Sequence, residues 1–265
     1  MIDTILANLP ESFLWKDSIF YFDTIDSTNT SAKQMAAQGA VHGTVLIADS
    51  QTSGRGRLGR SFHSPPGSGI YLSVIVRPQC HAAQLMHLTC ATGVAMCDAV
   101  ETACGIRPGI KWTNDLVFGK RKLGGILTEL SLDSQGNAAY AVVGIGINCS
   151  QTEADFPEDI RSIATSLQAQ IGKSIDRACV IGAMLVALEE MSRNLLNRKA
   201  QIMEQYRKDC ITVGQEISVV AGEQVRHGTA VSVDDDGALL VCFADGHTEA
   251  VSSGEVSIRG MYGYI

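Results

Sequence analysis

Seven residues, Gly54-Arg55-Gly56-Arg57-Leu58-Gly59-Arg60, limit what this chain can fold into more than any other stretch. They spell two phosphate-binding signatures at once. Gly54-x-Gly56-x-x-Gly59 is the dinucleotide fingerprint, and Gly54 through Ser61 is a P-loop with arginine in place of lysine. Both signatures have to open a helix, because the helix N-terminus takes the phosphate. Here the chain continues Phe62-His63-Ser64-Pro65-Pro66-Gly67, which cannot start a long helix, so the context rejects both. What remains is three arginines among three glycines in a chain of net charge −7. Like charges ~4 Å apart repel by roughly 4 kcal/mol at an effective dielectric of about 20. Guanidinium forks suit carboxylate and phosphate oxygens, and glycines let the backbone approach a ligand. The stretch reads as a mobile loop that orders when an anion neutralises it; a solvated basic turn is the plainer reading.

Its flanks agree with a loop. Ile19 to Phe22, Thr44 to Ala48 and Gly69 to Arg77 read as strands, and Ser31 to Gln38 as a helix stopped by Gly39. About twenty residues without regular structure separate the second and third strands, and a connection of that length inside a compact domain is usually functional. Ser27, Thr28 and Asn29 stand at the first strand-to-helix turn, where ordinary N-capping explains them. Gln51, just before the arginines, either reads a polar ligand group or ties down the loop.

Ala82 to Cys104 reads as one long helix. Two short strand pieces follow around a polar corner, Lys111-Trp112-Thr113-Asn114-Asp115, and Gly119-Lys120 makes a hairpin turn. The returning strand, Lys122 to Glu129, contains Gly124 and Gly125, and the strand Ala141 to Ile147 contains Gly144 and Gly146 before Asn148. Glycines weaken a strand unless a flat ligand or another backbone packs on them. Asp176 to Leu196 is an amphipathic helix, and a second helix continues to about Lys208. From Val213 five short alternating runs suggest a small barrel. The expected units are therefore 1–212 and 213–265.

Composition narrows the class. A hydrophobic fraction of 45% is enough for a proper core, and the acidic balance argues against a general nucleic-acid binder. No signal-peptide pattern opens the chain, and no run approaches the roughly 18 apolar residues of a membrane span. The eight cysteines contain no Cys-x-x-Cys pair; Cys90, Cys97 and Cys104 recur every seven residues in an apolar helical pattern, as small hydrophobes do. The six histidines form no ligand pair at helical spacing. A reduced, cytoplasmic protein is expected, without a membrane partner, and no residue is assigned to a metal.

Four separated stretches thus place polar or basic residues beside glycines at strand ends. If those strands are neighbours, a pocket with at least five cations results, suited to a nucleoside triphosphate. In this combination the chain resembles the biotin protein ligase family. The resemblance rests on Gly54-Arg55-Gly56-Arg57-x-Gly59-Arg60, Lys111-Trp112-x-Asn114-Asp115, Lys122-Leu123-x-Gly125-Ile126-Leu127, Ser27-Thr28-Asn29 and Gly144-x-Gly146-x-Asn148, in the family's order, with a tail Gly254 to Arg259 like the family's C-terminal barrel.

The resemblance implies an α+β fold: a mixed β-sheet with helices packed on one side, like the class II aminoacyl-tRNA synthetases and biotin–lipoate ligases, then a small C-terminal SH3-like β-barrel. It implies that biotin's carboxylate attacks the α-phosphorus of ATP to give biotinyl-5′-AMP, and that a lysine of a biotin carboxyl carrier domain, as in acetyl-CoA carboxylase, then takes the biotinyl group. By motif match, Ser27, Thr28, Asn29, Gln51, Gly54, Arg55, Gly56, Arg57, Lys122 and Gly125 would hold biotin. Arg57, Arg60, Phe62, Lys111, Asn114, Asp115, Lys122 and Asn148 would hold ATP with Mg2+, and Lys122, Arg57 and Asp115 would carry the chemistry. Gly124 and Gly125 would let biotin lie against the strand. Phe62 stands where the family usually has tryptophan, and Thr113 where it has proline, which puts adenine stacking and the corner's rigidity in question. About twenty residues precede the first strand, too few for the DNA-binding domain of longer members, so no nucleic-acid partner is expected, and the enzyme would be a monomer or homodimer. A lipoate–protein ligase and a non-catalytic biotin-binding module are the alternatives.

Overall fold

The structure is a computed structural model that describes residues 1–252 and the strand at 257–260. Its helices are α1 (Ile2–Ala7), α2 (Thr28–Ala37), α3 (Leu88–Cys104), α4 (Glu158–Arg161), α5 (Leu167–Ile171), α6 (Arg177–Asn194) and α7 (Lys199–Asp209). Its first strands are β1 (Ile19–Ile25), β2 (Thr44–Gln51), β3 (Gly69–Val76), β4 (Gly109–Lys111), β5 (Asp115–Phe118), β6 (Arg121–Leu132) and β7 (Ala138–Asn148). These seven form one mixed sheet in the order β1-β2-β3-β7-β6-β5-β4, with only β1 and β2 parallel among the described pairs.

Strand alternation sorts the sheet into two faces. Leu72 and Val74 of β3 and Val143 and Ile145 of β7 join the main core beneath α3 and α6. Leu46, Ile75 and Val142 point the other way and pack with Ala32 and Ala36 of α2. The helices therefore do not all lie on one side, as the sequence led us to expect. The short apolar run of α2 covers part of the second face, and the rest of that face stays open for a site.

Register decides what lines the open part. Tyr71 pairs with Gly146, Gly146 with Gly125, and Gly125 with Asp115, making one row across β3, β7, β6 and β5. Ser73, Gly144 and Leu127 make the next row.

The remaining strands, β8 (Glu216–Ala221), β9 (Gln224–Val233), β10 (Leu239–Phe243), β11 (Thr248–Val251) and β12 (Ser257–Gly260), form an antiparallel sheet ordered β11-β10-β9-β8-β12. Its buried Ile217, Val219, Leu239 and Val241 are continuous with the main core. The tail residues Gly254, Glu255 and Val256 lie outside the described residues.

One local expectation changes. The long helix expected from Ala82 breaks at Met86–His87 into a short 3-10 turn (Ala82–Leu85) and α3. His87 is fully buried and its Nε2 lies 2.9 Å from Leu195 O, a tertiary tie that the apolar periodicity does not contain. The short helices α1, α4 and α5 carry too few periods to be read from the sequence. No described helix is long and apolar enough to cross a membrane.

Candidate active site

The cavity lies on the open face, over the glycine rows. Its walls come from the first turn of α2, the Arg/Gly loop, the Lys111–Asp115 corner and the start of β6. Five cations line it (Arg55, Arg57, Arg60, Lys111 and Lys122), with Asp115 as the one lining carboxylate among the described residues. Ser27, Thr28, Asn29, Gln51, Gly56, Phe62, Asn114 and Gly125, also expected from sequence, line it as well. Gly54 and Asn148 do not line it. Gly54 is pressed against the loop's own return, where a β-carbon would come within 2.5 Å of Phe62 O. Asn148 donates to Thr165 O at 3.0 Å and accepts from Gln151 Nε2 at 3.4 Å.

The Arg/Gly loop is a small hairpin. Phe62 N–H donates to Gly54 O at 2.9 Å, Gly56 N–H to Arg60 O at 2.7 Å, and Arg60 N–H to Arg57 O at 3.2 Å. Leu58 (φ 55°) and Gly59 (φ 73°) make the reversal. The left-handed conformation costs a residue such as leucine roughly 1–2 kcal/mol. Leu58 is nevertheless 64% exposed, so core packing does not offset that cost.

Gln51 ties down the loop. Its Oε1 accepts from Thr28 N at 2.9 Å and from Thr28 Oγ1 at 3.2 Å, and its Nε2 donates to Ser64 Oγ at 2.9 Å. The amide ties the loop's far end to α2 while bordering the cavity.

The capping reading of Ser27 is corrected: it holds the N-cap position of α2 without a side-chain cap bond. Thr28 and Asn29 turn instead onto the sheet. Ser73 Oγ lies 2.8 Å from Thr28 Oγ1 and 2.6 Å from Asn29 Oδ1. Ser73, the one small polar residue in the buried run Ile70–Val76, was not singled out from sequence; its polarity inside that run was the available signal.

The glycines also resolve. A β-carbon on Gly124 would collide with the carbonyl of Gly146, so another backbone, not a ligand, demands that glycine. One on Gly146 would come within 2.5 Å of the Phe62 ring, and one on Gly144 would coincide with Asn29 Oδ1. Gly125 alone of the four has only ordinary contacts, 3.4 Å to Asp115 Oδ1 and 3.5 Å to Lys122 Nζ, and it faces the cavity. Phe62 also meets Tyr71 edge-on, with ring centroids 6.2 Å apart.

At the polar corner, Lys122 Nζ donates to Asp115 Oδ1 at 2.7 Å. Asn114 donates to Asp115 Oδ1 at 3.3 Å and to Ile126 O at 3.0 Å, and accepts from Arg57 Nη1 at 2.9 Å. The loop tip, the corner and β6 are thus one hydrogen-bonded chain. Burial lowers the Arg57 pKa, the Asp115 charge opposes that, and Arg60 adds to the lowering. Lys122 is fixed at its backbone as well: its N–H donates to Ile163 O at 2.6 Å, and its carbonyl accepts from Thr165 N at 2.8 Å.

Three hydrogen bonds brace the corner around Trp112 and Thr113. Tyr206 donates to Thr113 O at 3.1 Å, Trp112 N–H to Thr212 Oγ1 at 2.9 Å, and Trp112 Nε1 to Gly237 O at 2.9 Å. Burial raises the Tyr206 pKa well above its ordinary value, so its hydroxyl stays a donor.

Residues 21–148 match the Biotin/lipoate A/B protein ligase family, and residues 212–259 match the Biotin protein ligase C terminal domain. The chain is 36% identical over 224 residues to the bifunctional ligase/repressor BirA of Bacillus spizizenii, covering 84% of this chain and 69% of that protein. It is 35% identical over 236 residues to the biotin–[acetyl-CoA-carboxylase] ligase of Mycobacterium tuberculosis, covering 87% and 85%. The chain belongs to the biotin protein ligase family. The biotin protein ligase of Aquifex aeolicus in complex with biotin and ATP superposes with a TM-score of 0.78 at 31% identity, covering 92% of this chain and 99% of that one. Within this biotin protein ligase fold, the glycine rows and the cationic loop occupy one face of the mixed sheet.

Proposed function

We propose that the protein activates biotin with ATP and transfers it to a lysine of the biotin carboxyl carrier domain of acetyl-CoA carboxylase. One observation carries this reading: five cations from three separate chain segments surround a single lining carboxylate beside the open backbone of Gly125. Two anions, a carboxylate and a triphosphate, have to meet in the first step, and such a charge set offsets their repulsion. The match of residues 212–259 to the C-terminal domain of biotin protein ligases supports biotin over lipoate.

In the first step a carboxylate oxygen of biotin forms a bond to the α-phosphorus, and the bond from that phosphorus to the β-phosphate bridging oxygen breaks. Pyrophosphate leaves with that electron pair. Lys122, held by Asp115, would neutralise the carboxylate and the α-phosphate together. Arg57, tied to Asn114, would close over the adenylate, with Arg55 toward biotin and Arg60 toward the phosphates. In the second step the neutral amine of the carrier lysine attacks the acyl carbon. AMP leaves, and the amine gives up a proton as the amide forms.

Among the described residues no three His, Cys, Asp or Glu side chains cluster to hold a metal by themselves. Asp115, the one lining carboxylate, would be the side chain to hold a Mg2+ brought in with the triphosphate. When bound, the ion supplies charge neutralisation at the phosphates. The enzyme would act in the cytoplasm as a monomer or homodimer. Transfer of radiolabelled biotin, against radiolabelled lipoate, to a carrier domain in the presence of ATP tests the reading. Labelling by biotin alone supports it, and labelling by lipoate alone overturns it.

A further inference from the structure

We propose that Glu129 is the latch of the Arg/Gly loop: from outside the cavity its carboxylate captures Arg55 and holds the loop down on the site. The loop geometry stands without a ligand; the consequence for catalysis rests on the function proposed above.

Glu129 lies on β6, two residues beyond Leu127, and does not itself line the cavity. Its Oε2 accepts from Asn29 Nδ2 at 3.0 Å, its Oε1 accepts from Lys33 Nζ at 2.8 Å, and the same Oε1 stands 3.6 Å from Arg55 Nη1. One carboxylate therefore joins α2, the sheet and the first arginine of the loop. Burial pushes the Glu129 pKa up, but the hydrogen bonds from Lys33 and Asn29 and the charges of Lys33 and Arg55 outweigh burial and hold it below its ordinary value. The loop then has two anchors: Arg57 on Asn114 toward the tip, and Arg55 on Glu129 at the base.

The strength suits a latch. Arg55 is 46% exposed and shares Oε1 with Lys33, so its attraction is that of a partly screened surface pair. Such a pair biases a loop without locking it. A positioning residue of this kind alters how fast the loop opens and leaves the bond-making step alone.

Glu129→Gln keeps the shape and the acceptor for Asn29 but removes the charge. In ligand-free protein, tryptic cleavage after Arg55, Arg57 and Arg60 should quicken about threefold to fivefold, the range expected for a surface ion pair. In biotin-dependent pyrophosphate release, KM for biotin should rise by a similar factor with kcat unchanged. Both effects should vanish in an Arg55→Ala background, because the latch then has nothing to hold. Lys33→Ala, which leaves Oε1 to Arg55 alone while Asn29 keeps Oε2, should slow cleavage, a direction that general loosening of the fold cannot produce. Equal cleavage of Glu129→Gln and the unaltered protein, or an undiminished Glu129→Gln effect in the Arg55→Ala background, would overturn the proposal. If the unaltered protein released no pyrophosphate with biotin, the functional reading would fall, while the ligand-free cleavage rates would still decide the latch.

Discussion

The Asn29 amide fills the space where a side chain on Gly144 would begin: a β-carbon there would lie 1.8 Å from Asn29 Oδ1. The first turn of α2 therefore sits directly on the backbone of β7, and Ser73 and Glu129 hold the Asn29 amide from either side. Gly144→Ala would force Asn29 out, and overpacking of this kind costs about 1–3 kcal/mol. Urea unfolding should show that loss, and calorimetric titration should show weaker biotin binding. Unchanged values in both would mean that Asn29 can shift freely.

Lys122 and Asp115 form an ion pair in the cavity wall, 2.7 Å apart, where the proposed function puts the reacting groups. Removing one preorganised charge that stabilises a transition state slows the chemistry by roughly 100- to 1,000-fold. Lys122→Ala should lose biotin-dependent pyrophosphate release by about that factor while keeping its circular dichroism spectrum. Turnover equal to the unaltered enzyme would remove this lysine from the mechanism.

Tyr206 supports the corner from below, through its hydroxyl on Thr113 O. Tyr206→Phe leaves that buried carbonyl without its donor, a loss of about 1–3 kcal/mol. The urea midpoint should fall, and KM for ATP should rise as Asn114 and Asp115 lose their fixed position. The acidic turn of the C-terminal sheet bears on the same corner. Asp235 pairs with Arg207, Asp236 with Lys199, and Gly237 O accepts from Trp112. Charge-neutral variants of the two aspartates should therefore alter the fluorescence of Trp112.

Burial pushes the Cys90 and Cys149 thiols up to about 12. A pKa raised in the folded state means that folded protein binds more protons than unfolded protein between the two values. Stability is thus intact below the ordinary cysteine pKa of about 8.5 and is lost as pH rises from there toward 12. The urea midpoint should be lower at pH 10 than at pH 8. Iodoacetamide at neutral pH should label the partly exposed Cys179 and Cys242 and leave Cys90 and Cys149 unmodified, as read by peptide mass spectrometry.

Much of this was legible in the chain. Each strand of the main sheet, the hairpin at Gly119 and the polar corner follow from local alternation and turn residues, and the motif residues converge because their strands are neighbours. Longer-range facts were not legible. Gly124 looked like a ligand-facing glycine because no local signal shows that Gly146 O lies against it. Thr28 and Asn29 looked like caps because their partners, Ser73 and Glu129, are distant in sequence and meet them only through sheet register. The split of Ala82–Cys104 depends on a carbonyl at Leu195. Thr113 raised a question about rigidity that Tyr206, Thr212 and Gly237 answer from three other segments.

The most direct measurement is pyrophosphate release by the purified protein with ATP and Mg2+, in the presence and absence of biotin. Release that depends on biotin and is accompanied by biotinyl-5′-AMP is the predicted result. Release that is the same without biotin, or no release with all three present, would contradict the claim that this cationic cavity joins a carboxylate to AMP.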